Sequence, residues 1–239
     1  MTDSGADRLR EALRARGLDW PAPIEHHDRL SSTSDRLKAR ARDGAPEWTA
    51  VQALEQTAGR GRQGRAWASP AGGVYLSVLL RPRFESLGLI PLAAGVAVAE
   101  ALGEQGIETE LKWPNDVLAA GRKLAGILAE ASSSGSGLDW VVLGLGINVA
   151  AAVLARLTVW YHALRVEPRA VLRSWREHAA PWWGRRVELH SGGRILRGVA
   201  EGVDPGGALL LALDDGTRAT VLSGDVTAVR LEPGTAGGS

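Results

Sequence analysis

Glu110-Leu111-Lys112-Trp113-Pro114-Asn115-Asp116-Val117-Leu118 is followed by a turn at Gly121-Arg122 and then by Lys123-Leu124-Ala125-Gly126-Ile127-Leu128-Ala129-Glu130. Two apolar-rich runs around a glycine turn read as a β-hairpin, and this geometry sets Lys112 and Lys123 on neighbouring strands. The lysines are informative because the chain otherwise carries its positive charge on arginine, with Lys38 as the only other lysine. A compact ammonium retained among guanidinium groups marks a site where one cannot replace the other. Lys38, on an expected helix surface, is the exception, and chance in an arginine-biased genome accounts for it.

Upstream of the hairpin, Gly59-Arg60-Gly61-Arg62-Gln63-Gly64-Arg65 lies between the apolar runs Val51 to Leu54 and Val74 to Leu80, with Trp67 two residues beyond. Glycines let a backbone approach a ligand and present its N–H groups, and each arginine offers a forked donor for phosphate or carboxylate. The loop therefore reads as an anion site. Earlier still, a helix over Asp7 to Arg16, the Pro21 and Pro23 break and a strand from Ile24 to Leu30 precede Ser31-Ser32-Thr33-Ser34. These hydroxyls cap a helix from Asp35 to Asp43 that stops at Gly44, and capping alone explains their presence as well as ligand binding does. Only about twenty residues precede the first strand, fewer than a helical DNA-binding domain needs. His26 and His27 alternate across that strand and are read as structural.

Val74 to Leu80 reads as a strand and Leu89 to Leu102 as a buried helix with Pro91 in its first turn. Ser132 to Gly137 reads as a flexible segment before a strand from Trp140 to Val149, whose Gly144 and Gly146 mark close backbone approach. Helices over Ala151 to Leu164 and Pro168 to Trp182 follow. From Arg185 the texture changes to short apolar strands separated by Ser191-Gly192-Gly193, Asp204-Pro205-Gly206-Gly207 and Asp214-Asp215-Gly216, the hairpin spacing of a small barrel.

Composition narrows the function classes. Lys plus Arg is 28 against 27 for Asp plus Glu, a net of +1 over 239 residues, which lacks the broad positive field of a dedicated nucleic-acid binder. No apolar run has the length of a membrane span and the N-terminus lacks a signal peptide's apolar region, so a cytoplasmic protein without membrane attachment is expected. The absence of cysteine excludes disulfides and thiolate ligands.

Ser32-Thr33-Ser34, Gln56 with Gly59 to Trp67, Lys112 to Asp116, Lys123 to Ile127 and Gly144 to Val149 together resemble the ordered motifs of the bacterial biotin protein ligases. The similarity runs from about Leu30 to Ala150, and the C-terminal strands resemble that family's SH3-like domain in pattern. The resemblance implies an α+β fold, a central mixed β-sheet flanked by helices, with the catalytic domain over 1–183, a small C-terminal SH3-like β-barrel over 184–231 and a flexible tail over 232–239. It implies a monofunctional enzyme that makes biotinyl-5′-adenylate from biotin and Mg·ATP, then biotinylates a lysine of a biotin carboxyl carrier domain, without DNA. Exposed edges of the central sheet make a homodimer conceivable.

Residue by residue, the resemblance assigns Ser32, Thr33, Ser34, Gln56, Gly59, Arg60, Gly61, Arg62, Lys123 and Gly126 to biotin. It assigns Arg62, Arg65, Trp67, Lys112, Asn115, Lys123 and Asn148 to ATP, with Trp67 stacking on adenine. Lys123, Arg62, Arg60 and Asp116 would carry the chemistry, Lys123 facing the carboxylate and α-phosphate. Asp116 is read equally as a polar partner, a proton acceptor or a simple turn carboxylate. Mg2+ is expected on the ATP phosphates rather than on a protein cage. Ser34 departs from the asparagine frequent in the family, and the connection after Val149 is shorter than in relatives. The arginine loop is expected to be a closing lid, disordered or partly open without ligand. Lipoyl transfer on a related fold, a nucleic-acid module using the arginine loop, and an inactive biotin binder are the competing readings.

Overall fold

The computed structural model describes residues 4–84, 86–134, 137–147 and 150–228. Among the described residues twelve strands form two sheets, accompanied by five α-helices. Helix α1 (Ser4–Arg14) leads to β1 (Ile24–Leu30), α2 (Thr33–Arg42), β2 (Ala50–Gln56) and β3 (Tyr75–Leu80). Helix α3 (Ile90–Gly103) is followed by β4 (Glu110–Lys112), β5 (Asp116–Ala119), β6 (Arg122–Ser134) and β7 (Gly137–Gly146), then by α4 (Ala150–Val166) and α5 (Pro168–His178). These strands make one sheet in the order β1-β2-β3-β7-β6-β5-β4. Among the described residues only the β1–β2 pair of this sheet is parallel, so the sheet is mixed as expected.

Strand alternation decides what each face meets. Ala50, Leu76, Val78, Leu80, Val141, Leu143 and Leu145 are buried in one cluster with apolar residues of α1, α3, α4 and α5. Helix α3 is apolar on every side because it is enclosed by the sheet and by α4 and α5. Each fully buried leucine in this layer contributes about 1.5–3 kcal/mol relative to exposure. On the opposite face Val51, Leu79, Trp140 and Val142 pack against Leu37 and Ala41 of α2 alone. One short helix cannot cover that face, and the sheet beyond the N-terminus of α2 is left open.

Two local expectations change. The hairpin turn is at Ala120-Gly121, both with positive φ (47° and 71°), which joins β5 and β6 with the twist of a primed turn. Ser132 to Ser134 is not loop. It continues β6, pairing through Ser132↔Trp140 and Ser134↔Gly137, because the β6–β7 hairpin runs on past the body of the sheet.

The C-terminal strands β8 (Arg186–Ser191), β9 (Arg194–Val203), β10 (Leu209–Leu213), β11 (Arg218–Val221) and β12 (Asp225–Ala228) form an antiparallel sheet in the order β11-β10-β9-β8-β12. Among the described residues no ladder joins β11 to β12, so the expected barrel is an open sheet. The edge strands are four residues each, and the segment 222–224 between them meets the arginine loop, the Gly224 carbonyl accepting from Arg62 at 3.1 Å. Val187, Leu189, Ala200, Leu209 and Leu211 belong to the same buried cluster as the large sheet, and the Trp113 indole N–H donates to the Gly207 carbonyl at 2.9 Å. No described helix is long and apolar enough to cross a membrane.

Candidate active site

A cavity of about 260 Å3 occupies the uncovered part of the sheet at the N-terminus of α2. Its floor is backbone. Gly126 pairs with Gly146 and Leu128 with Gly144 across β6 and β7, so at three of these four positions no side chain rises into the cavity, and Leu128 supplies the fourth. The Trp67 ring fills part of that space. A Cβ at Gly146 would sit 2.7 Å from the Trp67 indole nitrogen, and one at Gly126 would sit 3.0 Å from its ring carbons. The buried Trp67 N–H has no acceptor among the described residues. An unsatisfied buried donor is costly, which marks this as a place for a ligand's acceptor.

One end of the cavity is neutral and buried. Ser32, Thr33 and Ser34 are 2, 3 and 7% exposed. Ser32 caps α2, its Oγ accepting from the Asp35 N–H at 3.3 Å, so capping and cavity lining are served by the same hydroxyl. The Gln56 Oε1 accepts the Thr33 N–H at 2.8 Å and the Thr33 hydroxyl at 3.1 Å, and its Nε2 donates to Ser69 Oγ at 2.9 Å. The Thr33 oxygen accepts from Ser77 at 2.8 Å, and Ser34 and Ser77 lie 3.1 Å apart. Thr33 has therefore committed its hydrogen and retains only lone-pair capacity toward the cavity. The hydrogens left over are those of Ser32 Oγ and the second Nε2 hydrogen of Gln56. The result is an end that accepts N–H groups on one side and donates to an oxygen on the other.

The other end is charged. Lys123 Nζ lies 2.6 Å from Asp116 Oδ1 and 4.9 Å from the centroid of the Trp67 ring. Asn115 is fixed by two bonds with Ile127, its side-chain Nδ2 donating to the Ile127 carbonyl at 2.7 Å and its backbone carbonyl accepting the Ile127 N–H at 3.0 Å. Arg62 donates to Asn115 Oδ1 at 3.4 Å and to the Gly224 carbonyl at 3.1 Å. Burial lowers the Arg62 pKa, and Asp225 and Asp116 oppose that shift. Arg65 is ion-paired with Asp225. Gly224 and Asp225 come from the C-terminal sheet, and Asp225 lines the cavity.

The arginine loop, read from the sequence as a lid, spans the cavity. It is folded over the cavity, with a single 3-10 turn at Arg62–Gly64 and hydrogen bonds from Gly61 N–H to the Arg65 carbonyl (2.7 Å) and from Trp67 N–H to the Gly59 carbonyl (2.9 Å). Its arginines find protein acceptors, and these ties hold it shut. Arg60 lines the cavity, but its guanidinium is tied to carboxylates that do not, 2.5 Å from Asp35 and 3.4 Å from Glu130, which also pairs with Lys38. That charge is committed to α2 and β6 rather than directed at an anion.

Of the residues singled out from sequence, Ser32, Thr33, Ser34, Gln56, Arg60, Gly61, Arg62, Arg65, Trp67, Asn115, Asp116, Lys123 and Gly126 line the cavity. Gly59 does not. A Cβ there would meet Ser69 Oγ at 2.5 Å, so this glycine serves the close approach of the loop's two arms. Lys112 does not line it either, its ammonium lying 5.3 Å from the centroid of the Trp182 ring. Asn148 and Val149 lie outside the described residues. Sequence reading missed Asp225, 160 residues from its partner Arg65, and Ser77, the one polar residue in the strand Tyr-Leu-Ser-Val-Leu-Leu. A lone serine in an otherwise apolar strand was the available signal for the second.

Residues 27–148 match the biotin/lipoate A/B protein ligase family, and residues 183–227 match the biotin protein ligase C-terminal domain. The chain belongs to the biotin/lipoate A/B protein ligase family. Among its relatives is the biotin–[acetyl-CoA-carboxylase] ligase of Mycobacterium tuberculosis, 38% identical over 261 aligned positions that cover 93% of this chain and 94% of that protein. The bifunctional ligase/repressor BirA of Bacillus subtilis is 44% identical over 128 residues, 52% of this chain but only 39% of that relative. The biotin protein ligase of Aquifex aeolicus, solved in complex with biotin and ATP, superposes with a TM-score of 0.75 at 29% identity, covering 87% of this chain and 99% of that one. This family member thus keeps the family's sheet and its C-terminal module, and the cavity described above lies at the N-terminus of α2 within the matched segment.

Proposed function

We infer that the protein is an ATP-dependent biotin–protein ligase that forms biotinyl-5′-adenylate and transfers biotin to a lysine of a biotin carboxyl carrier domain of acetyl-CoA carboxylase or a related carboxylase. The observation that carries this reading is the pairing, in one cavity, of a neutral end with urea-like complementarity and a cationic end. A cyclic urea offers two N–H donors flanking one carbonyl, which matches acceptors at Thr33 and Ser34 and donors at Ser32 and Gln56. A dithiolane ring has no N–H group, so the same end gives lipoate nothing in return for its desolvation.

In the first step the biotin carboxylate oxygen attacks the α-phosphorus, the bond to the bridging oxygen breaks and pyrophosphate leaves. Two anions must meet, and Lys123 stands at the junction of the two ends to offset their repulsion. Asp116 holds that ammonium in place. Arg62 and Arg65 exchange their contacts at Gly224 and Asp225 for phosphate oxygens, and the Trp67 ring supplies an apolar plane for the adenine. In the second step a neutral acceptor amine attacks the carbonyl carbon of the mixed anhydride, an amide forms, and AMP departs with the bonding electrons. The folded loop shields the anhydride from water until then.

Magnesium suits this site as a passenger of the nucleotide. Among the described residues no group of three or more His, Asp or Glu side chains is arranged to hold a metal, and the cavity's carboxylates, Asp116 and Asp225, are already paired with Lys123 and Arg65. A donor set of this kind fits a cation carried on phosphate oxygens, which keeps much of its own water. The test is mass spectrometry of a carrier domain incubated with the protein, biotin and Mg·ATP. A gain of one biotinyl group on one lysine is expected, and no gain with a competent carrier would overturn the reading. Binding of lipoate in place of biotin would turn it toward lipoyl transfer.

A further inference from the structure

Ser77 does not line the cavity, yet it touches two of the hydroxyls that do, those of Thr33 and Ser34. It lies on β3, fully buried, opposite Val51 of β2 and Gly144 of β7, directly beneath the N-terminus of α2. A hydroxyl carries one hydrogen, so the direction of a hydroxyl chain is set wherever one member meets a group that can only donate or only accept. The Thr33 backbone N–H is such a group. It donates to Gln56 Oε1 at 2.8 Å, which fixes that atom as the amide oxygen, and the Thr33 hydroxyl must then donate to the same oxygen. Ser77 consequently donates to Thr33, and its single hydrogen is used. Ser34, 3.1 Å away, is left to donate to Ser77. At the far end Gln56 Nε2 donates to Ser69, whose hydroxyl donates to the Trp67 carbonyl at 3.2 Å. The chain runs one way, Ser34 to Ser77 to Thr33 to Gln56 to Ser69 to the loop backbone.

We propose that Ser77 is a positioning residue that determines specificity: the direction set at the Thr33 N–H is carried by Ser77 on to Ser34, so that Ser34, like Thr33, presents lone pairs and not a hydrogen to the ligand's ring N–H groups. The proposal rests on the biotin reading of this cavity. Its physical content is that the site rejects a head group lacking N–H donors not by shape but by placing lone pair against lone pair. Without the Ser77 oxygen, the Ser34 hydroxyl loses its acceptor and turns its hydrogen into the cavity.

Three ligands separate this from a merely supporting role. Biotin has two ring N–H groups, a cyclic carbonate analogue replaces both with oxygen, and 2-iminobiotin keeps them but replaces the carbonyl. Dissociation constants for each are measured by calorimetry on the full chain and on Ser77→Ala. The expected result is that the preference for biotin over the carbonate falls about tenfold or more in the variant, the equivalent of one hydrogen bond exchanged, while the preference for biotin over 2-iminobiotin is unchanged. Equal weakening of all three ligands, with both ratios preserved, would overturn the proposal. Should Ser77→Ala lose its cooperative thermal transition, Ser77→Cys keeps the volume with a far weaker donor and acceptor, and the same fall in the carbonate ratio is expected of it. Wild-type protein that fails to bind biotin at all sinks the ligase reading, whereas wild-type binding with unchanged ratios in the variant sinks only the role of Ser77.

Discussion

The two ends of the cavity are held together by opposite kinds of interaction. At the neutral end, Thr33, Ser34 and Ser77 are 7% exposed or less and every hydroxyl is hydrogen-bonded to a neighbour, so the array is set before a ligand arrives. At the charged end Lys123 is 39% exposed and Arg65 is 65% exposed, each paired with a carboxylate that a phosphate or a ligand carboxylate can displace. Buried neutral donors and acceptors with fixed partners give selectivity, because a mismatched ligand leaves them unsatisfied. Partly exposed ion pairs are worth little as stability and exchange readily, which suits groups that must change partners during a reaction. The protein keeps recognition and charge control apart by building them on different parts of one sheet, the first on α2, β2 and β3, the second on β5, β6 and the arginine loop.

The largest expected effect tests the charged end. Lys123→Gln should reduce adenylate formation on the order of a hundredfold or more, since a neutral amide cannot offset the meeting anions. Pyrophosphate release measures it, and near-normal release would remove Lys123 from the first step. Loss of transfer alone, with adenylate accumulating, would move it to the second. At the neutral end Thr33→Val keeps shape and removes one hydroxyl, so the KM for biotin should rise about tenfold while the KM for ATP stays within error. Equal changes in both constants would show that the two ends are not separable.

Asp225→Asn addresses the link between them and the C-terminal sheet. Releasing Arg65 should change the KM for ATP by a few-fold with biotin affinity unaffected, in line with an exposed pair. Steady-state kinetics at two salt concentrations would reveal it, and a change confined to biotin would refute the assignment of Arg65 to phosphate. The smallest effect lies away from the cavity. Hydrogen bonds from Arg16 and Arg156 hold the Glu104 carboxyl below its ordinary value of 4.5. A depressed folded pKa means stability present above pH 4.5 and lost as pH falls through the folded value. The Tm of wild type should therefore exceed that of Glu104→Gln slightly at neutral pH, and the gap should close in acid. A gap that widened in acid would reverse the sign.

Much of this was legible in the residues. The Lys123 to Glu130 strand, the arginine loop and the serines at a helix start were each recognisable, because hairpins, caps and glycine-rich anion loops depend on neighbours a few residues apart. Distances of many tens of residues are a different matter. Arg65 reads as a phosphate ligand in isolation, but the pairing with Asp225 depends on how the C-terminal sheet packs against the first. Lys112 shares its motif with Asn115 and Asp116, yet its ammonium meets Trp182 from a later segment. Arg60 reads like Arg62 and Arg65 in sequence, and only the positions of Asp35 and Glu130 take its charge out of the cavity.

What the sequence determined by itself is therefore the set of local devices: the turns, the cap at Ser32, the glycines of β6 and β7 and the alternation that buries one face under α3. What only the tertiary structure decided is which charges remain available to a ligand, and which way the hydrogens of Ser34, Ser77 and Thr33 run. The reason is physical. Backbone conformation is governed by steric and hydrogen-bonding terms that act between near neighbours, whereas the availability of a charge or a proton depends on every group within a few ångströms, whatever its place in the chain.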